Sequence, residues 1–218
     1  MTRGLVRIGS TIRRPLHGRS AYVQAVLHLE AVGFEGAPRF LGVDDEGREI
    51  LTYIEGEVLD GSPALIPDRR LRTAARLIRD FHDATAGSAI ARGGEVVCHG
   101  DLGQHNLVFR GEQAVGLIDW DEGVAPASRL VDLAHAVWCF AAVGERALPI
   151  CYQAHAIKAM CEVYGWTDPI ALVDEIADRL RRARDEHAAN GRSKAVIVFE
   201  EMIASMDVIE PELRRRLD

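Results

Sequence analysis

The sequence has no apolar run long enough to cross a bilayer. Its longest, 133–143, is interrupted by His135 and falls well short of the roughly 20 residues that a spanning helix needs. The basic opening, residues 1–7, is not followed by the apolar core of an export signal. Together these absences predict no membrane partner and no export. No Lys/Arg block occurs either: 26 basic against 33 acidic side chains give a formal charge of −7. That balance argues against nucleic acid, whose binding is driven mainly by displaced counterions, and leaves a cationic small molecule permitted. The four cysteines, Cys98, Cys139, Cys151 and Cys161, show no CxxC or zinc-ribbon spacing, so reduced thiols and a cytoplasmic location are expected. Repeats and low-complexity tracts are absent. What is there is an ordinary globular composition, 218 residues with 48% hydrophobic and 27% charged. A chain of this size buries a core without metal or disulfide staples, as one large domain or as a small lobe fused to a larger one.

The two ends of the chain differ in texture. Leu5-Val6-Arg7-Ile8 and Thr11-Ile12-Arg13-Arg14 flank Gly9-Ser10 and stop at Pro15, the pattern of a hairpin. From Ser20 the residues Val23, Val26, Leu27 and Leu29 recur at helical spacing until Gly33. Phe40-Leu41-Gly42-Val43 and 49–54 then flank Asp44-Asp45-Glu46-Gly47, a hairpin loop by its chemistry. After Gly56 the reading turns helical. Asp68 can cap a helix whose one face carries Leu71, Ala74, Ala75, Ile78 and Phe81. Three short apolar runs, Val96-Val97-Cys98, Leu107-Val108-Phe109 and Val115-Gly116-Leu117-Ile118, look like buried strands carrying loops. Helices are expected at about 128–143, 149–164, 169–189 and 192–206, with Asp168 then Pro169 as cap and first helical residue. The fold class is therefore α+β: a β-rich part over 1–58 and a mainly helical part over 59–218.

Chemistry-bearing residues cluster where the apolar strands end. His99-Gly100-Asp101-Leu102-Gly103-Gln104-His105-Asn106 follows one, and Asp119-Trp120-Asp121 another. A strand end holds a carboxylate rigidly while its loop lets side chains converge on one ligand. Phosphoryl transfer needs a carboxylate to orient and deprotonate the acceptor hydroxyl, and oxygen ligands for magnesium on the nucleotide phosphates. Asp101, Asn106 and Asp119 supply that set.

Asp101-Leu102 followed by three residues and Asn106 matches the catalytic-loop spacing of kinase-like enzymes. In its His-Gly-Asp form, paired with Ile118-Asp119-Trp120, the sequence resembles the aminoglycoside phosphotransferase family and its relatives that phosphorylate small molecules. The resemblance runs from about Val6 to Trp138. It implies a protein-kinase-like two-lobed fold and transfer of the γ-phosphoryl of ATP, with Mg2+, to a hydroxyl of a small molecule. By that resemblance Asp101 is the catalytic base, Asn106 and Asp119 hold magnesium, His99 steadies the loop, and Asp132 buttresses it from the start of a helix. Residues 51–56 become the crossing between lobes, where backbone groups around Tyr53, Ile54 and Glu55 would bind the nucleotide base; read by itself the stretch is equally an ordinary edge strand ending in a turn. The small lobe departs from the pattern: no G-x-G-x-x-G occurs, so the first strand and its loop are expected to be missing or shortened. Arg13 or Arg14 is the cation at the usual lysine position, and neither Gln24 nor Glu30 on the next helix makes a convincing acidic partner.

Other readings compete. His99, Asp101 and His105 form an H-x-D-x-x-x-H pattern that could hold zinc in a hydrolase. His105 alone reads as a loop or packing residue, Asp121 and Glu122 either as neighbours of the metal or as a solvated loop, and Asp132 as a helix cap. Glu175 with Arg179 and Asp178 with Arg182 at i,i+4 read as a solvated helix face. The eroded small lobe also allows a catalytically weak or inactive binder, such as a resistance or immunity factor.

Overall fold

The structure is a computed structural model that describes residues 5–15, 20–120 and 123–218, without the side chains of residues 20 and 21. Strands β1 (Val6–Ile8), β2 (Thr11–Pro15), β3 (Phe40–Val43) and β4 (Arg48–Thr52) form one antiparallel sheet in the order β1-β2-β4-β3. Gly9 opens the β1–β2 turn at φ 60°, which a two-residue hairpin requires and glycine adopts without strain. In the β3–β4 loop the Asp44 side chain accepts from the backbone N–H of Glu46 (3.0 Å) and Arg48 (2.9 Å), the aspartate turn that its position predicts. Helix α1 (Ser20–Ala31) buries Tyr22, Ala25, Val26 and Leu29.

The larger part begins with α2 (Asp68–Thr85), which buries Leu71, Ala74, Ala75, Ile78 and Phe81, the face that its spacing predicts. Asp68 does not cap it. Pro67 occupies the cap position without a side-chain bond, and the Asp68 carboxylate instead meets Arg72 Nε (2.7 Å) and His155 Nε2 (2.8 Å). Strands β5 (Val96–Cys98), β6 (Leu107–Arg110) and β7 (Gln113–Leu117) occupy the three apolar runs, with β6 and β7 as an antiparallel hairpin. A further strand, β8 (Ala125–Ala127), pairs with β5. It escapes a sequence reading because it is two alanines around Pro126, which pattern and propensity both disfavour.

Four helices complete the chain: α3 (Arg129–Phe140), α4 (Ile150–Tyr164), α5 (Pro169–Ala189) and α6 (Ser193–Leu217). Asp168 caps α5 through Ala171 N (3.0 Å) with Pro169 at the first turn, as expected. Helix α6 runs past the expected end at 206 and through Pro211, because Met206, Ile209, Leu213 and Leu217 continue one buried face across it. Burying that face outweighs the roughly 3 kcal/mol that an internal proline costs. No described helix is long and apolar enough to cross a membrane. Beneath the loops lies a shared core in which Phe81 meets Trp120 edge to face at 5.1 Å.

Candidate active site

Strand β5 ends at Cys98 and leads through buried His99 to Asp101 at the surface of the large lobe, where α3 grips the loop. The buried Asp132 carboxylate accepts from the backbone N–H of His99 (2.7 Å) and of Gly100 (2.9 Å). It also accepts from His82 Nε2 (3.2 Å), whose Nδ1 lies 2.6 Å from the Tyr164 hydroxyl. Burial alone raises the pKa of Asp132, but the hydrogen bond from His82, the fields of His82 and His99 and the His99 N–H outweigh it and keep the carboxyl low. Gly100 sits at φ 85°, and a Cβ there would come within 2.6 Å of the Gly123 carbonyl oxygen. Only glycine fits.

His99 is buried, and burial pushes its pKa down. Its Nε2 donates to the Ile118 carbonyl (3.0 Å), and its ring lies 4.7 Å from that of Trp120. It therefore ties the 99–106 loop to the end of β7. The His99, Asp101, His105 zinc set is not among the clusters of metal-ligand atoms that the described residues form. Three ligand-type side chains do converge at His82, Cys98 and Asp132. There the carboxylate is committed to N–H donors, and burial holds the Cys98 thiol up at about 12.

Asp101 stands half exposed with both carboxylate oxygens held. His135 Nε2 on α3 lies 3.0 Å from Oδ1. Asn106 Nδ2 donates to Oδ2 (2.9 Å) and to the Asp101 carbonyl (2.8 Å), and His105 Nε2 lies 3.3 Å from Oδ2. The His135 hydrogen bond first, then the fields of His135 and His105, outweigh desolvation and hold this carboxyl well below the usual carboxylate range. Asn106 is buried, and its committed Nδ2 turns its side-chain oxygen away from Asp101. The loop is locked to the next segment by Ile118 N–H donating to Asn106 O (2.9 Å).

Asp119 follows at φ 64°, a left-handed conformation that a non-glycine residue adopts only where its surroundings impose it. Trp120 anchors the turn through Nε1 to Leu117 O (2.8 Å). Arg14 arrives from the small lobe. Its guanidinium lies 3.3 Å from Asp119 Oδ1 and donates to Trp120 O (3.3 Å), while its Nε pairs with Glu49. Arg14 and Glu49 are directly opposite in the β2–β4 register, and both are buried, at 3% and 0% side-chain exposure. Strand alternation sends Arg13 to the other face, toward Thr11 and Asp44. Of the two expected cations, only Arg14 is thus brought to the site. Gln24 and Glu30 are exposed, and among its described residues α1 brings Arg14 the ring of Tyr22 at 5.2 Å.

At the crossing, Tyr53 N–H donates to Ser10 O (2.8 Å) and its ring carries the Arg7 guanidinium at 3.7 Å. Glu55 O accepts from Arg110 (3.0 Å). Ile54 packs beside Gly116, and its backbone N–H and C=O make no hydrogen bond among the described residues. On the far side, Arg179 of α5 donates to Gly100 O (3.3 Å) instead of pairing with Glu175. Arg182 takes Glu175, and Arg181 takes Asp178, so this helix is not solely a solvated face. Asp121 and Glu122 lie outside the described residues. Sequence reasoning missed His135, Glu49, His82 and Arg179. Two signals could have found the first pair: His135 is three residues from Asp132 on one helix face, and Glu49 takes an inward position in strand alternation beside Leu51.

Comparison with known proteins agrees with this geometry. Residues 88–168 match the model of the phosphotransferase enzyme family. The chain is 31% identical over 169 residues to the trifolitoxin immunity protein of Rhizobium leguminosarum bv. trifolii, covering 67% of this chain and 64% of that relative. It thus spans less than two thirds of the relative's length. The structure of aminoglycoside 2'-phosphotransferase-IIIa in its GDP complex aligns with TM-score 0.64 and 11% identity, over 93% of this chain and 87% of that one. Spectinomycin phosphotransferase with ADP and spectinomycin aligns with TM-score 0.58 and 12% identity, over 94% and 88%. Macrolide 2'-phosphotransferase type I aligns with TM-score 0.56 and 14% identity, over 88% and 83%. By its loop motif, its matched segment and its protein-kinase-like α+β fold, the chain is a relative of the aminoglycoside phosphotransferase family.

Proposed function

We propose that the chain transfers the γ-phosphoryl group of ATP to a hydroxyl of a small molecule, with Mg2+. The observation that carries this reading is Asp101, held at both oxygens on a strand-end loop, with Asn106 bound to it and Asp119 anchored at the end of the adjoining hairpin. The donor set suits magnesium, a hard cation that prefers oxygen ligands: the Asp119 carboxylate is 40% exposed, and the Asn106 side-chain oxygen is turned away from Asp101. Bound there, magnesium would neutralise charge on the transferring phosphates. Arg14, steadied by Glu49, would face the same phosphates in place of a lysine; the chain's two lysines, Lys158 and Lys194, both lie in the C-terminal helices. The Ile54 backbone would be the base-recognition edge of a hinge dividing the lobes near residue 58.

In the reaction the acceptor oxygen forms a bond to the γ-phosphorus as the bond to the β–γ bridging oxygen breaks, and that electron pair leaves with ADP. The acceptor proton passes to the Asp101 carboxylate and then to solvent. Held at both oxygens, Asp101 would act chiefly by orienting the hydroxyl, which suits a loose transition state with late proton transfer. The formal charge of −7 permits a cationic acceptor, and the four free cysteines fit the cytosol.

A second reading, an immunity factor that binds without turnover, draws on the identity to the immunity protein and on the Arg14–Asp119 contact. Thermal shift with ATP or GTP, with and without magnesium and beside Asp119→Asn, separates the two, since ligand binding to the native state raises stability by mass action. A magnesium-dependent shift lost in the variant supports the phosphotransferase reading and licenses an acceptor screen. No shift at millimolar nucleotide supports the binder.

A further inference from the structure

The same helix that holds the backbone of the catalytic loop also reaches its reactive side chain. We propose that His135 is a positioning residue for the Asp101 carboxylate, an inference that rests on reading Asp101 as the base. Its Nε2 lies 3.0 Å from Asp101 Oδ1, and its side chain is 7% exposed. Its Nδ1 is buried with no hydrogen-bond partner, and its Nε2 faces the carboxylate oxygen, an acceptor to which an N–H there donates. His135 follows Asp132 at i+3, and residues so spaced share a helix face. Asp132 thereby fixes the backbone at His99 and Gly100 while His135 fixes the side chain at Asp101. The ring is itself wedged, with Trp138 edge-on at 5.7 Å and Cys139 Sγ 3.8 Å from Nε2.

His105 also touches the carboxylate, but it belongs to the same loop and is 49% exposed, so it moves with Asp101 and gives no external reference. His135 belongs to a capped, buried helix. With Oδ1 pinned from α3 and Oδ2 pinned by Asn106, the carboxylate plane is set by two separate elements. Remove the imidazole and the carboxylate can pivot about its Asn106 bond, so the acceptor hydroxyl meets it in the wrong orientation. Nucleotide binding, assigned above to Arg14 and Asp119, is left intact.

The test uses the full chain and follows magnesium-dependent hydrolysis of ATP and GTP with water as acceptor. His135→Ala should lower kcat by about 10- to 100-fold, the loss expected for one charge-assisted hydrogen bond, with nucleotide KM held within about twofold. His135→Gln, which restores an N–H donor at similar reach, should recover kcat to within about fivefold of wild type. Unchanged kcat in the alanine variant overturns the proposal. So does a fall in kcat with a matching rise in nucleotide KM that glutamine fails to rescue, the signature of a packing role. If the wild-type chain hydrolyses neither nucleotide, the phosphotransferase reading fails and imidazole 15N spectra decide this inference separately. A His135 Nε2-bound proton that is protected from exchange and shifts in Asp101→Asn supports it; a resonance indifferent to that substitution overturns it.

Discussion

Asp132→Ala tests how the 99–106 loop is held. The carboxylate accepts from His99 N–H, Gly100 N–H and His82 Nε2 at 2.7, 2.9 and 3.2 Å. His99 and His82 are fully buried, whereas Gly100 is half-buried. A buried donor stripped of its acceptor costs about 1–3 kcal/mol. Taking the two buried donors at about 2 kcal/mol each, and Gly100 at little because water reaches it, the loss is about 4 kcal/mol. For a chain of this length each 1 kcal/mol moves Tm by about 2–4 °C, so a fall of about 8–16 °C is expected. Asp132→Asn keeps one acceptor oxygen and should lose about half as much. Urea unfolding followed by tryptophan fluorescence reads the change as a lower midpoint at unchanged slope; Trp120, packed on His99, reports locally. A loss below about 1 kcal/mol in the alanine variant would refute the claim that this carboxylate holds the loop.

Acid should act through the same group. The Asp132 carboxyl titrates below its ordinary 3.8, so its contribution to stability is fully present above that pH and is lost as pH falls below it. Asp44, Asp68 and Asp101 are depressed as well and add in the same direction. Tm measured from pH 6 down to about 2.5 should fall steeply in wild type and less so in Asp132→Asn. Asp101→Ala should reduce turnover by about 10²- to 10⁴-fold with nucleotide affinity nearly unchanged; equal turnover would remove it from the mechanism. Arg14→Ala takes the guanidinium from beside buried Glu49 and should cost about 3 kcal/mol, read by the same unfolding assay, as well as weakening the magnesium-dependent nucleotide shift. Gly100→Ala, forced to φ 85° and against the Gly123 carbonyl, should cost about 2–3 kcal/mol in the same assay.

Much of this molecule is legible in sequence because its signals are local. The Asp101 to Asn106 spacing, the apolar strand ahead of it and the face of α2 each lie within a few residues, and all appear where the pattern places them. What escapes depends on distant partners. Glu49 reads as an ordinary strand residue until the register sets it across from Arg14, 35 positions earlier. His135 sits inside an apolar helix and looks like core until Asp101, 34 positions away, is folded against it. Strand β8 has no propensity of its own and exists because β5 supplies the ladder. The proline in α6 misleads for a related reason: propensity is a local tendency, while the buried face that overrides it is tertiary.

The Arg14–Glu49 pair has a consequence for control. In protein kinases the phosphate-facing lysine is paired from a helix, and the position of that helix switches the site on or off. Here Glu49 sits one strand over in the same hydrogen-bonded ladder, and among the described residues α1 brings Arg14 the ring of Tyr22. Arg14 is thereby geared to the sheet itself. A one-residue slip of strand register would separate the pair and turn Glu49 and Leu51 outward together.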